Sequence, residues 1–229
     1  MFVVLAVLFV LVAVTLYLKS QRQPKLKRMY IAALEACINI YNIKTVKVGM
    51  YDDEVGFQII NGVPIIIFQG SDFDPSIGAF LEWKSNLYTW AVSDTFKAFT
   101  THLSEILPDT HKGENVVCVS HSRGGYLMSA WCQASPQRPA MAVFVGSCGQ
   151  VFDCTSRGIH VKEFKHKLDP VTKLGVTVSH HEHEFTDVLD GFSIATVHTE
   201  GYRVLLRNLL KRVRNDRVNS YREHLTVWP

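Results

Sequence analysis

The chain has no C-x-x-C pair, and its cysteines (Cys37, Cys118, Cys132, Cys148 and Cys154) are odd in number. A zinc or redox site built on cysteine therefore has little support. Cys37, Cys118 and Cys132 lie in apolar periodic stretches, where a reduced thiol behaves as a small core hydrophobe. No acidic residue occurs before Glu35, whereas Lys19, Arg22, Lys25, Lys27 and Arg28 crowd into one short stretch. No internal repeat or low-complexity tract appears, so repeat architectures are set aside. The net charge of +3 is small, and no nucleic-acid partner is expected.

What is present begins with residues 2–18, which carry no charge and only Thr15 and Tyr17 as polar breaks. As a helix this run spans roughly 25 Å at ~1.5 Å per residue, against a hydrocarbon core of ~30 Å. It suffices if Lys19 snorkels or the bilayer thins. A cleaved signal peptide needs positive charge before the run and a small-x-small site after it, and neither is present. The expectation is an uncleaved single-pass N-terminal anchor, residues 1–19, followed by a basic juxtamembrane linker, residues 20–28. The basic flank stays inside by the positive-inside rule, which puts the remaining domain, residues 29–229, on the cytosolic side. That domain has the right size for one core, and an apolar content of 47% with four tryptophans can fill it.

Within it, residues 29–41 have helical periodicity. Residues 55–60 and 63–68 read as strands joined by Asn61-Gly62, a dipeptide that favours a tight hairpin turn. Residues 96–107 read as an amphipathic helix, closed by Pro108. Strands are expected at residues 116–119, 141–145 and 159–164, and an amphipathic helix over residues 202–213. Strands alternating with helices predict an α/β fold with a mostly parallel sheet flanked by helices.

The segment Val116-Val117-Cys118-Val119-Ser120-His121-Ser122-Arg123-Gly124-Gly125 carries the most chemistry. A β-branched run ends at a serine set among small residues, and a helix-compatible stretch, 126–132, follows. This is the pattern of a nucleophile elbow, G-x-S-x-G, with Ser120 in place of the first glycine. Ser122 is the candidate nucleophile. Such a serine needs a histidine base, an acid to orient that base, and donors for an oxyanion, in the chain order serine, acid, histidine. Asp169, in a loop after a strand candidate, is the leading acid, with Asp187 and Asp190 as rivals. His180, His181, His183, His198 and His224 all follow it. His224, after the last long helix, holds the usual place of the base. The oxyanion donors are read as Ser71, after Phe68-Gln69-Gly70, and the backbone N–H of Arg123. The cluster Ser179-His180-His181-Glu182-His183, with Glu184, admits a metal reading. A solvated polar loop is the simpler one.

These segments, taken in order, resemble the class 3 lipases, the family of fungal triacylglycerol lipases and their cellular and viral relatives. Phe68-Gln69-Gly70-Ser71 resembles F-R-G-[ST]. Glu82-Trp83-Lys84-Ser85-Asn86-Leu87 resembles D-W-x-x-[DN]-L. Ser120 to Gly125 resembles G-H-S-L-G-G. Val145-Gly146-Ser147 and Asp169-Pro170-Val171 resemble F-G-x-P and the D-P-V acid loop, and Glu223-His224-Leu225 resembles the final histidine segment. The likeness covers residues 30–229. The departures are Gln69 for arginine, Ser120 for glycine, Arg123 for leucine, Ser93-Asp94-Thr95-Phe96 for His-x-Gly-Phe, and Cys148 or Gly149 for proline.

The resemblance implies an α/β-hydrolase fold and a serine hydrolase that cleaves carboxylic esters of lipids, acylglycerol or phospholipid, through an acyl-enzyme. It implies no metal and no cofactor. Residues 72–81 would be a lid over the acyl site, or an ordinary helix on the core. The basic face of the last helix (Arg203, Arg207, Lys211, Arg214) would meet anionic lipid heads, or simply water. Two other classes remain open: a non-catalytic membrane or structural protein that keeps the fold, and an esterase or thioesterase acting on soluble acyl substrates.

Overall fold

The computed structural model describes residues 2–48, 53–70, 116–135, 138–147, 154–166, 169, 171–173, 182–185 and 196–215; for residues 2–6, 18–23, 47–48, 53, 134, 173 and 182–185 it describes the backbone alone. The expected helix at residues 96–107, the lid segment 72–81 and the motif residues 82–87 and 93–96 lie outside the described residues.

Among the described residues a seven-stranded sheet organises the fold, in the order β1 (Thr45–Val48), β2 (Asp53–Ile60), β3 (Val63–Phe68), β4 (Val117–His121), β5 (Met141–Val145), β6 (His160–His166) and β7 (Glu182–Phe185). The first three strands form an antiparallel meander, and β3 to β7 run parallel. The β2–β3 hairpin turns at Asn61 (φ 51°) and Gly62 (φ 72°). Both central residues are left-handed, as the Asn-Gly pair favours. The residues read as a polar loop near His183 instead form β7, in register with β6 through Glu163↔Glu182 and Phe164↔His183. A strand's partner supplies the pairing that its polar composition does not advertise.

The central strands β3, β4 and β5 are buried on both faces, which accounts for their continuous apolar runs. One face (Ile65, Ile67, Val117, Val119, Val143, Val145) packs against α1 and α3. The other (Ile66, Phe68, Cys118, Ala142, Phe144) packs against α2. Here α1 is Phe2–Ile38, α2 is Gly124–Ala134 and α3 is Tyr202–Asn215. The product is a three-layer α/β sandwich. β6 carries charge inward: Glu163 and Lys162 are buried, and Glu163 lies 3.3 Å from Lys165.

α1 is one helix through the stretch read as a linker, with Pro24 inside it. Its C-terminal part supplies Met29, Ala33, Leu34 and Cys37 to the core. In its N-terminal part the large apolar side chains among residues 7–17 are 48–75% exposed. Among the described residues, no helix is long and apolar enough to cross a membrane. Residues 7–17 cover about 16 Å of helix axis, roughly half a hydrocarbon core.

The C-terminus of α2 shows how a loop residue closes a helix. Arg157 Nη1 donates to the carbonyls of Cys132 (2.6 Å), Gln133 (3.1 Å) and Ser135 (2.7 Å). The last carbonyls of a helix lie beyond its own hydrogen-bond ladder, and a cation at the negative end of the helix dipole satisfies them. Replacing Arg157 with alanine should lower unfolding stability by about 1–3 kcal/mol, read as a shift in denaturant midpoint with unchanged slope.

Candidate active site

The site forms at the C-terminal ends of the parallel strands, where a strand must turn sharply into a helix. β4 ends at His121, α2 begins at Gly124, and Ser122 between them holds φ at 52°. Serine rarely adopts a left-handed backbone, and the conformation costs of order 1 kcal/mol or more. The neighbours hold it there. The Ser122 N–H donates to the Val145 carbonyl (3.0 Å), and the Ser122 carbonyl accepts from Gly125 N–H (3.1 Å). Gly124 lies directly on the carbonyls of Phe68 and Gln69, where any Cβ would collide with backbone. Helix and strand therefore pack as closely as a nucleophile elbow requires. Ser120, in the place of the first glycine, is fully buried, and its hydroxyl has no hydrogen-bond partner among the described residues.

The end of β3 closes against this turn. A Cβ on Gly70 would stand 2.7 Å from Ser122 Cβ and 2.9 Å from the His121 carbonyl oxygen. Gln69 binds the chain on the other side. Its Nε2 donates to the carbonyls of Ile40 (2.6 Å) and Ile43 (3.3 Å), and its backbone N–H donates to Glu54 (2.9 Å). The amide in the arginine's place thus fastens the loop after α1 to the edge of the site. Ser71 lies outside the described residues, as do Asp187, Asp190, His180, His181 and His224. Arg123 is at the elbow with its side chain buried. The described residues include no group of three His, Cys, Asp or Glu side chains that could hold a metal ion.

Asp169 is fully buried just past β6, and it is satisfied on both oxygens. Oδ1 accepts from the Val171 N–H (2.9 Å). Oδ2 accepts from His198 Nδ1 (2.8 Å) and from the Tyr202 hydroxyl (2.9 Å). The Tyr202 oxygen in turn accepts from the His166 N–H (2.8 Å). Burial and the neighbouring carboxylate push the Tyr202 phenol well above its ordinary range, so it remains a donor. A carboxylate that accepts from Nδ1 fixes the proton on that nitrogen and leaves Nε2 of His198 as the lone-pair nitrogen. The imidazole brought to Asp169 is thus that of His198.

His198 sits in a π-helical turn, Val197–Gly201, immediately ahead of α3. Wide turns of this kind recur at functional sites. The turn is tied to the elbow through His121. His121 Nε2 donates to the His198 carbonyl (2.8 Å), and the two rings stand 4.7 Å apart. A carbonyl only accepts, so His121 Nδ1 is the acceptor, and it takes the Tyr41 hydroxyl at 2.5 Å. Burial and then the neighbouring His198 press the His121 pKa from 6.5 to about 3, so its ring is neutral. Asp169 Oδ2 lies 3.3 Å from where a Gly146 Cβ would be, one residue past Val145, whose carbonyl accepts from the Ser122 N–H.

Sequence reasoning had His198 in view but favoured the terminal histidine, and it missed His121, Tyr41 and Tyr202. The usable signal was positional: His198 and Tyr202 are four apart at the head of the last strongly amphipathic helix, and so on one helical face.

Neither a protein-family model nor a curated protein matches the sequence. Among solved structures the chain is similar to a propeptide complex of the Rhizomucor miehei lipase, at 17% identity over 73% of this chain and 68% of that one, with a TM-score of 0.40. It is similar to a triacylglycerol lipase from Penicillium expansum at 16% identity, over 71% and 79% of the two chains, with a TM-score of 0.39. It is also similar to the Francisella virulence factor BioJ at 11% identity, over 80% and 90%, with a TM-score of 0.35. Likenesses this loose carry no weight for function, which rests on the residues themselves.

Two outcomes follow from this geometry. Gly70→Ala should leave the fold intact and reduce the rate of fluorophosphonate labelling by about 100-fold, because the new methyl displaces the serine. His121 is neutral when folded and has a depressed pKa, so its contribution to stability is complete above pH 6.5 and is lost as pH falls from 6.5 toward about 3. His121→Gln should therefore flatten the acid limb of a plot of denaturant midpoint against pH.

Proposed function

We propose that the chain is a serine hydrolase of carboxylic esters, with Ser122 as nucleophile, His198 as base and Asp169 as the acid that orients it. The observations that carry this reading are the left-handed Ser122 at the end of β4 and a buried Asp169–His198 pair whose backbone is tied to His121, the residue before the serine. The chain order serine, acid, histidine is that of α/β hydrolases. Ser122 Oγ attacks the ester carbonyl and His198 Nε2 takes its proton. Asp169 stabilises the imidazolium that forms, and the backbone N–H of Arg123 together with Ser71 receives the oxyanion. The alcohol departs with the proton from His198, and water then releases the acid from the acyl-enzyme. His198, not His224, takes the base role because Asp169 Oδ2 already holds it.

Acyl lipids, such as an acylglycerol or phospholipid, are the proposed substrate class, and residues 2–18 are proposed as the anchor that places the enzyme at a membrane on its cytosolic side. Support for the anchor is the uncharged run itself and the exposure of its described apolar side chains, which in water would form an unusually long apolar surface.

Intact-mass analysis after fluorophosphonate treatment tests the nucleophile. Wild type should gain one adduct and Ser122→Ala none. His198→Ala should lose about 10⁴-fold or more in ester turnover, while His224→Ala should stay within a few-fold of wild type. The reverse pattern for the two histidines would restore His224 as the base. Absence of any adduct on folded wild type would favour a non-catalytic protein.

A further inference from the structure

The helix that reaches the site at one end leaves the domain at the other, and this fixes which way the site faces. Tyr41, just beyond the C-terminus of α1, binds His121 beside the nucleophile. The opposite end of the domain is marked by the β2–β3 turn, because β3 starts there and runs to Gly70 at the site. At that end Arg28 Nη2 donates to the Gly62 carbonyl (3.3 Å), and Asn61 Nδ2 donates to Glu35 Oε2 (2.8 Å). The six residues of β3 separate the two ends by about 20 Å; Arg28 and Glu35 of α1 reach the turn, and Ile40, just past the helix, meets Gln69 beside the site. Upstream of Arg28 the same helix continues away from the domain, so residues 7–17 lie about 16–32 Å farther along the axis.

We infer that the site faces away from the bilayer that holds the chain, and that its ester substrate is presented from the aqueous side, either dissolved or in an apposed membrane. This rests on the reading of Ser122 as an ester hydrolase nucleophile and of residues 2–18 as an anchor. The basic residues at the membrane-proximal end agree with this polarity. Lys25, Lys27 and Arg28 lie on α1 just below the core, and Lys211 lies on the last turns of α3. Arg214 of α3 pairs with Glu35 of α1, which sets the C-terminal end of α3 toward the same end as the β2–β3 turn. Cationic side chains there would rest on anionic lipid heads. The catalytic cluster, at the other end, would not.

The test uses the full chain reconstituted in vesicles, with flotation and Ser122 labelling read separately. A slowly exchanging fluorogenic diacylglycerol is supplied in the enzyme's own vesicles or in separate protein-free vesicles, and a short-chain ester is supplied in solution. Turnover is expected for the soluble ester, for the separate vesicles, or for both, which distinguishes the two sources. Turnover within the enzyme's own vesicles should be at least about tenfold slower despite the higher effective concentration there. Energy transfer from a fluorescent phosphonate on Ser122 to acceptor head groups in the same vesicles should be low. A flexible glycine-serine insert of about twenty residues between Gln23 and Pro24 reaches about 25 Å, lets the domain roll over, and should raise both signals. Faster turnover in the enzyme's own vesicles than in separate ones, or high energy transfer without the insert, would overturn the inference. Failure to float removes the anchor beneath it, and failure to label removes the nucleophile, so the three failures are told apart.

Discussion

The carboxylate of Asp169 is the point on which the rest of the site depends. A fully buried carboxylate is expensive unless donors surround it. Here three do: the Val171 amide, the His198 imidazole and the Tyr202 hydroxyl. Each comes from a place that the fold had to bring there. Val171 is two residues along the same loop, while His198 and Tyr202 come from the turn that opens α3. The packing of α3 on α1 and on the sheet is therefore also what positions the imidazole. Removing any one donor leaves a buried anion short of a partner, which costs more than the hydrogen bond itself contributes.

The same logic extends outward through neutral groups. Tyr202 accepts from His166 at the end of β6 while donating to Asp169. His121 is held uncharged, and its two nitrogens join Tyr41 to the backbone of His198. A charged imidazole at this position would place two cations 4.7 Å apart whenever His198 gained a proton. A neutral His121 lets His198 become cationic opposite Asp169 without that repulsion. The residue before the nucleophile, read in the sequence only as a small part of the elbow pattern, is thus part of the support of the proposed base.

Most of the sheet was legible in the sequence because its strands are buried on both faces and say so in Val, Ile and Phe. The β2–β3 hairpin was legible because Asn61-Gly62 can do little else. The elbow was legible for a related reason: a serine at the end of a β-branched run, with Ser120 and Gly124 two positions to either side too small to obstruct a strand–helix contact, leaves few alternatives. β1 and β7 were not legible, since four-residue strands with lysine, glutamate and histidine acquire their state from the neighbour that pairs with them. The histidine was ambiguous for a different reason. Which of several histidines reaches a given carboxylate is a long-range matter, decided here by how α3 docks, and a single chain without its packing carries no such information. Position relative to the last helix held the clue, but a terminal histidine fitted the same rule.

The direction of α1 turns a question of substrate into one of geometry. A helix that both lines the core and carries an apolar extension has only one axis. Because the chain just past its C-terminal end reaches the elbow through Tyr41 and His121, its N-terminal extension points away from the elbow. An enzyme that draws lipid from its own leaflet needs the reverse arrangement, with the open ends of the parallel strands turned toward the bilayer. A rigid connection would then be a hindrance, and a flexible linker would be expected where this chain has continuous helix from Phe2 to Ile38. Continuity through Pro24 is what transmits the orientation of the sheet to the apolar segment. In the proposed anchored arrangement, the basic stretch that looks like a linker in composition would act as a stalk, holding the proposed catalytic cluster off the membrane surface.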